Sequence, residues 1–370
     1  MAATYRVGVI GRTGKGNYGH GLDTVWKDIP QAEVVAIADD HKGGREDAVK
    51  KTGASHAYAD YRDMLDKEKL DIVAVAPRWL DQHHDMVLAC AERGCHVYME
   101  KPFSRTLEEA DEMVRAVEMK HLKLAIAHTT RYTPSLPVIK NFIADGGIGD
   151  VLEVRARGKE DRNRGGGEDL WVLGTHMLDL MRVFTGDVAT CYAHVTEKGL
   201  PVSKANVYDG REGIGPLAAD AINACYTFRE NRINGYFGSH RDRAGQPSRF
   251  GLQIFGSKGV IEMTSGFGKT CHLLKDPSWS PGRSGAKWIP ISSQGAGRAE
   301  TVHGSHQGGN TAAVNDLIQS IEKDTMPASS IYDARAATEM IVGVFESHRL
   351  KTSVPFPLEN RKNPLTMLDE

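Results

Sequence analysis

His176 and Asp179 stand three positions apart in a stretch, residues 170–184, whose apolar side chains recur with helical spacing. Leu173, Met177, Leu180, Met181 and Phe184 form the apolar stripe, while Val172, His176 and Asp179 fall on a neighbouring face, where His176 and Asp179 can touch. A carboxylate beside an imidazole fixes its tautomer and raises its basicity. That suits a general base taking a hydroxyl proton as hydride leaves the adjoining carbon. A second candidate is Lys101 in Glu100-Lys101-Pro102. The proline disfavours helix at Lys101 and holds it extended, so the ammonium leaves the end of the apolar run 96–99 in a defined direction. A surface ion pair is the plain alternative.

The third candidate chemistry is anion binding. An apolar run at 6–10 passes directly into Gly11-Arg12-Thr13-Gly14-Lys15-Gly16-Asn17-Tyr18-Gly19-His20-Gly21, followed by a helix-like stretch at 22–27. A turn poor in side chains at a helix N-terminus lets backbone N–H groups approach a pyrophosphate, and the helix dipole favours the anion. The usual G-x-G-x-x-G spacing would need glycine at 13, so either Gly14 takes that part or the loop is longer. Gly11, Arg12, Thr13, Gly14 and Gly16 are the residues expected at a dinucleotide. Asp39, at the end of the second apolar run, can accept both ribose hydroxyl hydrogens and would repel a 2'-phosphate, which favours NAD over NADP; Lys42 and Arg45 follow closely. The alternative is a solvated turn with a surface aspartate.

Between 155 and 169, charge and glycine are packed into one segment. Arg157, Asp161, Arg164 and Asp169 either bind sugar hydroxyls, or a carboxylate through arginine, or form a solvated charge mixture. Trp171 either offers a ring face to a sugar or nicotinamide or packs in the core.

These groups need elements to hold them. Apolar runs at 6–10, 33–38, 72–76, 96–99 and 123–127 alternate with helical patterns at 44–52, 61–65, 84–93 and 106–120. Such alternation predicts an α/β unit, a doubly wound parallel sheet over residues 1–128 whose carboxyl edge binds ligands. From 129 to 370 the pattern changes to alternating strands at 151–157, 190–196, 219–228, 232–239 and 250–255, with helices at 170–184, 311–323 and 333–350. This predicts a second domain with a large antiparallel sheet that has one buried face.

The 370 residues suit two domains. Lys plus Arg number 46 against 48 for Asp plus Glu, with no long run of either sign, which argues against a nucleic-acid partner. No apolar stretch is long enough to span a membrane, and the N-terminus shows no leader pattern, so a cytoplasmic location is expected. Five scattered cysteines predict free thiols, and no cluster has metal-ligand spacing. Glycine, at 39 residues, concentrates at 8–21, 146–167, 235–259 and 304–309, which marks turns or ligand-facing loops.

The ordered set of motifs resembles the Gfo/Idh/MocA family of sugar and polyol oxidoreductases. The set comprises the glycine turn, Ala38-Asp39, Ala76-Pro77 followed by His83, Gly94 before His96-Val97, and Glu100-Lys101-Pro102. Further on come Arg131-Tyr-Thr-Pro134, Gly147-Ile-Gly149-Asp150, Gly174-Thr-His176-Met-Leu-Asp179, Phe255-Gly-Ser-Lys-Gly259 and 333–347. The resemblance implies a Rossmann domain, a second domain on an open, mostly antiparallel sheet, and a cleft in which a carbohydrate lies against the nicotinamide. It implies a catalytic or substrate-orienting role for Lys101, a cofactor site that Pro77, His83, Glu100 and Arg131 help to line, and a homodimer or homotetramer joined through the open sheet. One departure is Val172, where dehydrogenases of the family often carry an aspartate four residues before the histidine.

Three functions follow. The first is an NAD-dependent dehydrogenase or reductase of a sugar, polyol or derivative, with Lys101 and His176 managing the proton and Asp179 orienting the histidine. The second uses retained NAD to oxidise a sugar carbon transiently and eliminate a glycosidic substituent, without net NADH release. The third is a dinucleotide-binding regulator that catalyses nothing; such a protein would tolerate loss of Lys101 or His176, and both are present.

Overall fold

Runs in which every residue is buried, such as Ile72–Val75, have both faces covered, which is the environment of parallel strands. In the computed structural model, which describes residues 4–230, 233–265, 270–301 and 306–369, they assemble in that way. Arg232 and Gly304, which the sequence assigned to a strand and a glycine cluster, lie outside the described residues.

The chain divides into two compact units. The first takes in Met1–Thr129, Asp209–Gly215 and His306–Thr338; the second takes in Thr130–Tyr208, Pro216–Ser305 and Glu339–Glu370. In the first, strands β1 (Tyr5–Ile10), β2 (Ala32–Ala38), β3 (His56–Tyr58), β4 (Ile72–Val75), β5 (His96–Met99) and β6 (Leu124–Ile126) form one sheet, ordered β3-β2-β1-β4-β5-β6 with every pair parallel. Helices α1 (Lys42–Thr52), α2 (Tyr61–Lys67), α3 (His83–Glu92) and α4 (Leu107–Met119) alternate with the strands. Met64, Val87 and Met113 of α2, α3 and α4 join Ile10, Val75 and Met99 of the sheet in one apolar core. Thr106 starts α4, its hydroxyl accepting the Glu109 N–H at 3.2 Å. Chain order reverses between β1 and β4, and in open parallel sheets the carboxyl edge at such a point holds ligands.

The expected helix at 22–27 does not form. Turns continue to Thr24 and are followed by one short 3-10 helix, Val25–Asp28. Four glycines with positive φ (Gly14, Gly16, Gly19 and Gly21) keep the chain turning past the point where an α-helix would begin.

The second unit is built on an eleven-stranded mixed sheet among the described residues. Its centre is β7 (Val151–Arg157), β8 (Val188–Glu197), β9 (Ala221–Phe228), β10 (Asn234–His240), β11 (Gly251–Gly256), β12 (Gly259–Thr264) and β13 (Cys271–Leu274), in the order β13-β12-β11-β7-β10-β9-β8. Only the β7–β10 pair in this series is parallel. Strand β9 alternates buried and more exposed residues, as a sheet with one covered face requires. Helix α5 (Leu136–Ala144) precedes the sheet, and α6 (Thr175–Thr185) packs on its inner face. A Cβ at Gly235 would lie 2.5 Å from the end of Met181, so the missing side chain lets α6 approach. The residues expected to open that helix form a π-helical turn instead, Leu170–Gly174. Among the described residues no helix is long and apolar enough to cross a membrane.

Candidate functional site

On the first unit, the glycine segment leaves β1 and closes on itself. Arg12 and Asn17 exchange backbone hydrogen bonds of 3.0 and 2.9 Å, and the Asn17 side chain accepts the Gly14 N–H at 2.9 Å. The Tyr18 ring lies against Gly11, where a Cβ would stand 2.2 Å from it. Arg12 is buried and its guanidinium donates to Asp81 at 2.8 Å. Thr13 donates to Asp39 from its hydroxyl (2.7 Å) and from its N–H (3.1 Å), and the His41 N–H adds a third donor at 3.0 Å. Asp39 therefore holds the segment as well as standing at the end of β2. The neighbouring Tyr18 phenol is pushed far up, most by its own burial and then by the Asp39 carboxylate.

Pro77, His83, Glu100 and Lys101 cluster at the carboxyl ends of β4 and β5. His83 is wholly buried, one ring nitrogen 2.7 Å from the Pro77 carbonyl and the other 2.9 Å from that of Pro102. Expected to line the cofactor, it instead staples the two strand ends together, leaving no ring edge for a ligand. Lys101 is 4% exposed. Glu100 accepts the Lys101 N–H at 3.1 Å on Oε2, and the backbone N–H and ring Nδ1 of His20 on Oε1, both at 2.7 Å. Burial alone would raise this carboxyl, but the charge and hydrogen bonds of His20, with Lys101 behind them, outweigh it and hold it at about 2.

Two residues here escaped the sequence reading. His20 was hidden inside the glycine segment. Arg78, directly after Pro77, has a buried Nε without a hydrogen-bond partner among the described residues, and the backbone beside it takes Gly16 so closely that a Cβ there would stand 2.4 Å from the Arg78 nitrogen. The available signal is a charged residue two places beyond the buried run 72–76.

On the second unit, α6 carries His176 and Asp179. Asp179 is fully buried and receives Arg131 bidentately, Nε to Oδ2 and Nη2 to Oδ1, both at 2.7 Å. Arg131 was expected beside the cofactor; the structure engages its guanidinium with Asp179. Val172 is buried in the π-helical turn.

The charged segment before that turn is largely tied up in its own contacts. Arg157 pairs with Glu160, and Asp161 accepts the N–H groups of Asn163 (3.0 Å) and Arg164 (2.6 Å). Asp169 is wholly buried, its Oδ2 accepting from Ser239 at 2.5 Å and from the Glu160 N–H at 3.1 Å. Burial raises its carboxyl to about 6 against the opposing hydrogen bonds. As a substrate contact it is corrected to a brace between β10, the segment that follows β7 and the turn. Trp171, 1% exposed, is likewise a core residue and offers no ring face.

Two family models match the chain. One, described as "Oxidoreductase family, NAD-binding Rossmann fold", covers residues 5–128, and the other, "Oxidoreductase family, C-terminal alpha/beta domain", covers residues 140–356. Levoglucosan dehydrogenase of Pseudarthrobacter phenanthrenivorans is 26% identical over 256 residues, which span 63% of this chain and 65% of that protein, just under two thirds of its length. Myo-inositol 2-dehydrogenase of Thermotoga maritima is 26% identical over 262 residues, 69% of this chain and 74% of that protein. A solved levoglucosan dehydrogenase in complex with NADH and levoglucosan shares the fold, with a TM-score of 0.78 at 20% identity over 96% of this chain and 99% of that one.

Proposed function

This chain belongs to the Gfo/Idh/MocA oxidoreductase family, and we propose that it is an NAD-dependent dehydrogenase or reductase acting on a hydroxyl-bearing carbon of a sugar, polyol or derivative. The observation that carries the reading is the carboxyl edge of the six-stranded sheet, where the glycine segment, Asp39, Glu100 and Lys101 come from β1, β2 and β5. These residues fit a dinucleotide. Asp39, at the end of β2, is the proposed ribose acceptor, Gly14 has nothing within 4 Å of where a Cβ would stand, and the buried Arg78 Nε is a donor left for an anion. Because no α-helix follows the glycines, phosphate binding falls to Arg12, Arg78 and backbone N–H groups rather than to a helix dipole.

When bound, nicotinamide supplies the hydride acceptor or donor. Lys101 holds its ammonium against the buried Glu100 charge and presents it to the substrate oxygen. His176 is the candidate base for the hydroxyl proton, with Asp179, anchored by Arg131, orienting its helix. The proposed cofactor domain is residues 1–128, and the proposed substrate and assembly domain is drawn from 129–370 without 209–215 and 306–338, which pack with the first unit. The relatives' substrates, levoglucosan and myo-inositol, set the first compounds to try.

Assembly into a homodimer or homotetramer is supported by the outer face of the second sheet. Tyr192, Cys225, Tyr236 and Arg155 lie side by side across four strands, and both tyrosines are exposed. Free thiols at all five cysteines suit the cytoplasm.

The deciding experiment is thermal unfolding of cofactor-stripped protein with NAD or NADP, followed by a polyol screen for NADH. A ligand at 100 times its Kd stabilises by about 2.7 kcal/mol. An upward shift with NAD and stoichiometric NADH support the reading. Bond cleavage without NADH would replace it by the redox-assisted lyase, and no shift in a protein that mass spectrometry finds free of nucleotide would end it.

A further inference from the structure

The glycine segment meets the catalytic strand ends at one point. At Gly19 (φ 64°) a Cβ would lie 2.5 Å from Glu100 Oε1 and 2.6 Å from the Ala76 carbonyl, so the chain passes there only without a side chain. The next residue, partly exposed, is held through both its backbone and its ring. The His20 N–H and ring Nδ1 both reach Glu100 Oε1, and its carbonyl accepts Asn310 Nδ2 at 3.0 Å. Asn310 is fixed in turn by the Tyr98 hydroxyl at 2.8 Å, and both of these residues are wholly buried. The remaining oxygen of Glu100 receives the Lys101 N–H. A single buried carboxylate thus joins the glycine segment to the backbone of the lysine.

A carboxylate that needed only charge balance would have Lys101 beside it; what His20 adds is direction. Its two donors turn Oε1 toward the glycine segment, which leaves Oε2 facing Lys101 N–H. We propose that His20 is a positioning residue for Lys101, acting through Glu100 so that the lysine is aligned while the glycine segment keeps its closed shape. The inference rests on the reading of Lys101 as the catalytic lysine of an NAD-dependent enzyme. It adds a coupling between the cofactor-binding segment and that lysine.

The test uses three variants of the full chain. In His20→Asn the side-chain amide stands where Nδ1 stood and keeps the donor to Glu100; His20→Gln and His20→Ala lose it. With NAD and the best polyol of the screen, His20→Ala and His20→Gln are expected to lower kcat about 100-fold, the scale of a misplaced catalytic group, with KM for the polyol within about threefold. His20→Asn should recover most of the rate. A second readout needs no turnover: reductive methylation of the nucleotide-free protein, followed by mass spectrometry at each lysine. Lys101 should label several-fold faster in His20→Ala and His20→Gln than in wild type or His20→Asn, with the other lysines unchanged.

Equal kcat and equal Lys101 labelling in all four proteins would overturn the proposal. So would His20→Asn behaving like His20→Ala, because the imidazole would then serve something other than the donor to Glu100. If His20→Ala fails to fold, the Asn and Gln pair decides. Should wild type bind no NAD and form no NADH, the dehydrogenase reading fails by itself, and the labelling pattern still accepts or rejects the coupling.

Discussion

Arg131 grips the fully buried carboxylate of Asp179 through two parallel hydrogen bonds of 2.7 Å, tying the segment before α5 to the helix that carries His176. Planar bidentate pairing is specific to arginine. Removing one partner leaves an uncompensated buried charge, a loss of roughly 3–5 kcal/mol. Arg131→Ala should therefore show a markedly lower urea midpoint, and Arg131→Lys, which keeps charge but not the fork, should fall between. A midpoint unchanged in Arg131→Ala would mean that Asp179 is balanced by other groups.

Elements with strong periodicity were legible before any coordinates. The strands Val151–Arg157 and His96–Met99 fall where alternation and a buried run placed them, and α4 lies within the helical pattern at 106–120. Local pattern failed where distant side chains decide the backbone. Nothing near residues 11–21 says that Thr13 will bond Asp39 or that His20 will bond Glu100, yet those contacts fix the path of the glycine segment. The π-helical turn at Leu170–Gly174 was invisible for another reason: one extra residue in a turn leaves the apolar spacing on either side intact. For Arg157 and Asp161, composition correctly marked charge but could not tell a ligand contact from an internal pair.

Asp39 has two jobs, and substitution separates them. Asp39→Ala should weaken NAD more than NADP, because the ribose acceptor and the repulsion of a 2'-phosphate vanish together. Thr13→Val removes one hydrogen bond to the carboxylate but not the carboxylate itself, so it should loosen both cofactors alike. Isothermal titration with each nucleotide measures the two ratios. An unchanged NAD to NADP ratio in Asp39→Ala would remove Asp39 as the ribose ligand.

Lys101→Ala should abolish turnover while leaving NAD affinity within about tenfold, since its proposed part is played at the substrate oxygen. Loss of the ammonium also withdraws one of the charges that hold Glu100 down. Stopped-flow NADH formation and an NAD titration on the same preparation check both halves. A Lys101→Ala protein that still turns over would dismiss the lysine from catalysis.

Glu100 and Asp169 should give stability opposite dependences on pH. Glu100 is held at about 2, below its ordinary 4.5, so its contribution is complete above pH 4.5 and is lost as pH falls toward 2. Asp169 is raised from 3.8 to about 6, so the stability it confers is complete below pH 3.8 and is lost as pH rises through 6. Each shift corresponds to roughly 3 kcal/mol at 1.36 kcal/mol per pH unit. Denaturant titrations of wild type and Asp169→Asn at pH 4.5 and 7.5 isolate the second effect: the variant should gain relative to wild type at the higher pH. A difference between the two proteins that stays constant with pH would place the Asp169 carboxyl in the ordinary range.

Gly14 and Gly19 share a positive φ, 87° and 64°, but not the same surroundings. At Gly14 a new Cβ meets nothing within 4 Å; at Gly19 it meets Glu100 and the Ala76 carbonyl at 2.5–2.6 Å. Alanine at 14 should therefore cost only the left-handed backbone term, about 1–2 kcal/mol. Alanine at 19 carries that same term and must also push the segment off a backbone oxygen that cannot turn aside, adding about 1–3 kcal/mol. The displaced segment would take His20 away from Glu100, so Gly19→Ala should lose NAD affinity and kcat as well as stability, whereas Gly14→Ala, whose Cβ enters the space proposed for the dinucleotide, should weaken NAD but change kcat at saturating NAD little. Urea midpoints and steady-state rates for the two variants make the comparison. Equal losses at both positions would mean that φ alone sets the cost and that the close approach at Gly19 has no part in holding the site.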